Sequence, residues 1–126
     1  MQKSFVKEFK LYCKKKNLDV NSHQIKLIKI LEEYYKLNYK SFISKILSKK
    51  NYKKGFYLYG DVGVGKTMIL DFFFNLVEGK KLKLHFNEFM VSFHDFVHQS
   101  KVKNDENKIS KFVKKLKSKA KLIYFD

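Results

Sequence analysis

Residues 60–67 read Gly60-Asp61-Val62-Gly63-Val64-Gly65-Lys66-Thr67, a complete G-x-x-x-x-G-K-T string. Every residue type in it suits a polyphosphate. The three glycines let the backbone take positive φ and approach a ligand with no Cβ in the way. Successive N–H groups can then converge on one anion, so Asp61, Val62 and Val64 bind through their backbone along with the glycines. Lys66 supplies a mobile positive charge for the β- and γ-phosphates and is the candidate catalytic lysine. The Thr67 hydroxyl can ligate Mg²⁺. A second group follows about sixty residues later, where Leu122-Ile123-Tyr124-Phe125-Asp126 is an apolar run closing on a carboxylate. An apolar strand holds such an Asp rigidly at its end, where it can orient a hydrated Mg²⁺. The chemistry indicated is the binding of a nucleoside triphosphate with Mg²⁺.

These residues act together only if a strand leads into the glycine loop and a helix leads out of it. Gly55-Phe56-Tyr57-Leu58-Tyr59 is short, apolar and aromatic, as an incoming strand requires, and Met68-Ile69-Leu70-Asp71-Phe72-Phe73-Phe74 suits the outgoing helix. That helix is expected to end near Glu78, with Gly79 as its cap. Leu82-Lys83-Leu84-His85-Phe86 alternates as a second strand, and residues 87–99 read as a helix with Phe89, Phe93, Phe96 and Val97 inward. A polar break at 104–107 precedes a lysine-rich helix over 108–119, with Ile109, Phe112, Val113 and Leu116 on one face. Alternating strands and helices predict an α/β fold of the P-loop NTPase type, with a partial parallel sheet and flanking helices. Residues 55–126 form that core, ending at the Asp126 carboxylate.

Residues 1–54 form an N-terminal helical segment ahead of it. Phe5, Phe9, Tyr12 and Cys13 recur at helical spacing over 4–16. After a break at 17–21, Asn21 and Gln24 have the spacing of a capping box. The helix they open runs to about Lys40, with Ile25, Ile28, Leu31, Tyr35 and Tyr39 as its inner stripe. Phe42, Ile43, Ile46 and Leu47 continue the periodicity to Ser48, and residues 49–54 are a basic, solvated connector.

The formal charge of +16 over 126 residues raises the question of nucleic acid. All 28 basic residues are lysine, however, and the chain has no arginine, proline or tryptophan and a single alanine, Ala120. That bias is the mark of AT-rich coding and makes lysine a default surface residue, which argues against nucleic acid as the partner. Phosphoryl-transfer sites usually add an arginine to the phosphate loop; hydrolysis would need one from another chain or another segment. The one cysteine, Cys13, cannot form an internal disulfide, which fits the reducing cytoplasm. It reads as a buried apolar residue. No apolar run approaches the ~20 residues of a membrane span, and residues 1–16 lack the apolar stretch of a signal peptide. His94 and His98 stand i, i+4 on one helix, but with no third ligand in view they read as a surface pair. Phe72-Phe73-Phe74 reads as the core side of a helix buried on two faces.

Taken together, residues 55–68 with Asp71-Phe72-Phe73 resemble the ZapE cell-division ATPases and their mitochondrial Afg-one-like relatives. His85-Phe86-Asn87-Glu88-Phe89-Met90, followed by His94, is similar to the family's His-Phe-x-x-Phe-Met…His signature. Asn21 and Gln24 resemble its upstream Asp-x-x-Gln, and residues 122–126 resemble the start of its Walker B strand. Val64 stands where members often carry arginine, and Glu88 where they commonly carry a basic residue. The resemblance implies an AAA+-type fold that binds ATP and Mg²⁺ and, at full length, hydrolyses ATP as a homo-oligomer to remodel division-machinery proteins. It also implies a longer protein, continuing past Asp126 with a catalytic Glu, a sensor strand, a finger arginine and a helical lid. In that fold the sensor strand lies between the phosphate-loop strand and the Walker B strand. Without it the three strands would leave a gap or pair directly, with open edges. Two other readings fit the loop itself: a helicase-loader-type ATPase associated with nucleic acid, and a small-molecule P-loop kinase.

Overall fold

Apolar residues four apart on a chain share one face of a helix, and the first helix of the computed structural model, α1 (Phe5–Lys15), buries Phe5, Phe9 and Cys13 on such a face. The structure describes residues 4–39, 55–60, 65–99 and 105–126. It divides into two compact units, Met1–Val77 and Glu78–Asp126.

In the first unit α1 stops because Asn17 takes the left-handed conformation, φ 52°. The Leu18 N–H then reaches back to the Cys13 carbonyl (2.9 Å) and the Asn17 N–H to that of Lys14 (3.3 Å), a Schellman closure with Asn in glycine's usual place. Helix α2 (Ser22–Tyr39) starts at the capping box expected from the sequence. The Gln24 N–H donates to Asn21 Oδ1 (2.9 Å), and the Asn21 N–H donates to Gln24 Oε1 (3.1 Å). Ile28 and Leu31 are buried, while Ile25, Tyr35 and Tyr39 are half-buried. Helix α3 (Lys66–Leu76) inserts Phe72 against Phe9 and Tyr12, at ring separations of 5.2 and 5.5 Å. Phe73 meets Phe5 at 6.1 Å and Tyr34 at 6.2 Å. Phe72 and Phe73 of the aromatic run are therefore core, with Phe74 half-buried, and they fix the helix that carries Lys66 and Thr67 to both preceding helices. The helix ends at Leu76 with Val77 as its cap, two residues before the Gly79 expected there.

Burial pushes the Cys13 thiol above its ordinary pKa, because the thiolate would lose its hydration. The native protein is expected to react with a disulfide reagent near neutral pH far more slowly than the urea-unfolded chain. Equal labelling rates in the two states would place Cys13 outside the core.

In the second unit β1 (Lys81–Leu84) pairs in parallel with β2 (Leu122–Phe125), in the register Lys81↔Leu122 to Leu84↔Phe125. A parallel pair needs a crossover, supplied by α4 (Phe86–Gln99) and α5 (Asp105–Lys119). Phe112 is buried and is ringed by Phe93, Phe96 and Phe89 at 5.2, 5.4 and 5.6 Å.

Several expectations are corrected. Residues 55–59 form no strand. An extended segment becomes a strand only beside a neighbour that shares its ladder, and among the described residues β1 and β2 pair only with each other. Tyr57 and Tyr59 are exposed and stack on one another at 6.1 Å. The α/β fold is thus present in its coarse form, helical with a two-stranded parallel sheet. The second strand ends at Leu84, because the Phe86 N–H turns to the Asp126 carbonyl and opens α4 instead. Helix α5 begins at Asp105, inside the expected polar break. Ile109 and Val113 are exposed, so its inner stripe narrows to Phe112 with half-buried Leu116. Phe89, Phe93, Phe96 and Val97 of α4 are half-buried. The expected helix over 42–48 and connector over 49–54 lie outside the described residues.

Candidate phosphate-binding loop

A helix leaves its first N–H groups without intrahelical acceptors, and α3 has no side-chain cap to satisfy them. Its N-cap is Gly65, in the left-handed region at φ 81°, where an L side chain is strained. A Cβ at Gly65 would also meet Gln24 Nε2 at 3.4 Å and the Met68 methyl at 3.5 Å. The Gly65 carbonyl accepts the first helical bond, from the Ile69 N–H (3.1 Å). The result is a helix N-terminus whose dipole and N–H donors are presented with no side chain at the cap, as anion binding requires.

Lys66 is the first residue of α3, and its ammonium donates to the Gly60 carbonyl. The structure therefore brings the two ends of the loop together through the lysine. Thr67, the next residue along α3, is exposed. Asp61, Val62, Gly63 and Val64 lie outside the described residues.

Asp126 belongs to the second unit, at the end of β2, and its backbone is held on both sides. Its N–H donates to the Leu84 carbonyl (3.0 Å) and its carbonyl accepts from the Phe86 N–H (3.2 Å). The His-Phe-x-x-Phe stretch explains this local order. The His85 carbonyl accepts the first α4 bond from Phe89 (2.9 Å), and the Phe89 ring packs edge-on against Phe125 at 4.8 Å. Phe86 and Phe89 thus act on the strand end that carries Asp126. The Asp126 residue itself is exposed.

One neighbour of the loop is not legible in the sequence. Gln24 reads there as a capping residue, which it is, but the fold also places its amide nitrogen against Gly65. The available signal was a polar residue on the inner face of α2, one turn before Ile28.

Comparison with known proteins matches residues 12–126 to the AFG1-like ATPase family. The chain is 42% identical over 65 residues to lactation elevated protein 1 homolog B of Danio rerio, covering 51% of this chain and 13% of that protein. It is 42% identical over 43 residues to cell division protein ZapE of Escherichia coli, covering 33% and 12%. An uncharacterised protein of Schizosaccharomyces pombe is 46% identical over 48 residues, covering 36% and 11%. The chain thus spans little more than a tenth of the curated relatives it matches. No solved structure matches it.

Proposed function

The chain belongs to the AFG1-like ATPase family, and from that premise we propose that it binds ATP with Mg²⁺ on residues 60–67. The observation that carries this is the N-terminus of α3: a left-handed glycine cap with no side-chain acceptor, beside a lysine that spans the loop. The donor set fits a polyphosphate, with backbone N–H groups of 60–65, the Lys66 ammonium and the Thr67 hydroxyl. On binding, Lys66 exchanges the Gly60 carbonyl for β- and γ-phosphate oxygens, replacing a neutral acceptor by a charged one. Mg²⁺, if held there, would supply charge neutralisation for those phosphates. Thr67 is proposed as its ligand and Asp126 as the carboxylate that orients its waters.

Titration with a fluorescent ATP analogue tests the reading. Saturable binding, competed by ATP and weakened by chelating Mg²⁺, supports it, and no saturation at millimolar nucleotide overturns it.

Hydrolysis is proposed for the whole protein. With no arginine in the chain, the charge that develops on the transferred phosphoryl group lacks its usual partner. Phosphate release by this chain should therefore fall well below the ~1 s⁻¹ at the slow end of ordinary enzymes. Turnover at that rate would refute the requirement. The similarity to cell division protein ZapE supports a further proposal, that the whole protein is a cytoplasmic homo-oligomer remodelling proteins of the division site. A fluorescent fusion concentrated at the septum supports that role; uniform fluorescence counts against it.

A further inference from the structure

Two hydrogen bonds carry the pairing of β1 and β2 one residue past their regular register. The Asp126 N–H donates to the Leu84 carbonyl (3.0 Å), and the Phe86 N–H donates to the Asp126 carbonyl (3.2 Å). A residue bonded in this way to both neighbours of another forms a rung of a parallel ladder, so Asp126 stands opposite His85. Residues on one rung point to the same face, on strands about 5 Å apart. The rung two residues earlier on that face shows the outcome. Lys83 is paired with Tyr124, and its ammonium lies over the Tyr124 ring at 5.0 Å. His85 and Asp126 are both exposed. They stand at the carboxyl end of the strand pair, the edge at which open α/β sheets bind their ligands. Both backbones are anchored, because the His85 carbonyl also accepts the Phe89 N–H (2.9 Å). An imidazole is thus launched from fixed backbone beside the carboxylate proposed to orient the waters of Mg²⁺.

We propose that His85 is the positioning residue for Asp126. One imidazole N–H donates to one carboxylate oxygen, directly or through a water, and leaves the other oxygen to accept from the hydrated metal. An imidazole carries at least one N–H in either protonation state, so the contact does not depend on its charge. Carboxylates at metal sites commonly take such an outer hydrogen bond, which fixes their direction. The inference rests on the assignment of Asp126 to Mg²⁺ and adds a residue from the neighbouring strand.

The test titrates Mg²⁺ against binding of a fluorescent ATP analogue in wild type, His85→Ala, His85→Gln and Asp126→Asn. His85→Ala should need about tenfold more Mg²⁺ for the same gain in nucleotide affinity, the low end of the cost of removing a hydrogen-bond partner from a metal-site ligand. Its nucleotide affinity in EDTA and its unfolding midpoint should stay at the wild-type values, since the side chain is exposed. His85→Gln keeps a neutral N–H donor and should restore most of the Mg²⁺ response. A wild-type Mg²⁺ response in His85→Ala overturns the proposal, and so does an equal loss in His85→Ala and His85→Gln. Asp126→Asn then shows which reading has failed. If it loses the Mg²⁺ response while His85→Ala keeps it, only the His85 contact is wrong. If both variants keep it, the Mg²⁺ role of Asp126 falls as well.

Discussion

Lys66→Ala is expected to weaken ATP binding by about one to two orders of magnitude, the fold-change that corresponds to losing charge-assisted hydrogen bonds of ~1.5–3 kcal/mol. In the free protein the ammonium rests on the Gly60 carbonyl, so its contribution is the difference between a neutral oxygen and phosphate oxygens, not the full strength of the latter. Gly60 is exposed, and water can replace the lost donor. The substitution should therefore leave stability within about 0.5 kcal/mol, as surface changes usually do. The two effects separate in a thermal-shift experiment. Ligand at 100 times its dissociation constant stabilises a protein by about 2.7 kcal/mol; Lys66→Ala should keep the unliganded midpoint and lose most of the ATP-induced rise. Lys66→Arg should not restore it, because a planar fork does not replace a compact, mobile charge at the end of a flexible stem. A full ATP-induced shift in Lys66→Ala would remove the lysine from the site.

At the loop, the backbone of its last glycine was legible in the sequence, because a positive φ is a demand that glycine meets without strain. Gly65 shows why: φ 81° and a side-chain-free cap are demands on one position, set by local backbone geometry. The capping box at Asn21 and Gln24 was legible for the same reason, since both bonds lie within four residues. Strand 55–59 was misread because a strand is a relation between segments, and the apolar, aromatic character of one segment does not supply the neighbour. The Gln24–Gly65 approach was invisible because it joins residues far apart in the chain, and only the packing of Phe72 and Phe73 against α1 and α2 brings them near. Asn17 gave a faint signal for the α1 terminus, as Asn is the commonest non-glycine residue to close a helix in the left-handed region.

Helix α5 shows the same limit, and it supports a prediction about the second unit. Periodicity puts Ile109, Phe112, Val113 and Leu116 on one apolar face, but exposures of 52% for Ile109 and 40% for Val113 against 5% for Phe112 concentrate the energy at one residue. Phe112→Ala should cost about 3–5 kcal/mol, the usual range for emptying a buried phenylalanine site. A domain's whole stability is about 5–15 kcal/mol, and among the described residues of this unit the other buried side chains are Ala120, Leu122 and Tyr124. Val113→Ala should fall within about 0.5 kcal/mol of wild type. Urea unfolding followed by far-UV circular dichroism separates the two. Loss of the Phe112 ring removes the contact shared by Phe89, Phe93 and Phe96, and Phe89 is also the ring that packs on Phe125. The backbone bonds of Asp126 to Leu84 and Phe86 depend on that strand end staying paired. Amide exchange at Asp126 should therefore accelerate in Phe112→Ala and stay slow in Val113→Ala. Unchanged exchange at Asp126 in a destabilised Phe112→Ala would mean that the strand pair holds the carboxylate without the aromatic cluster.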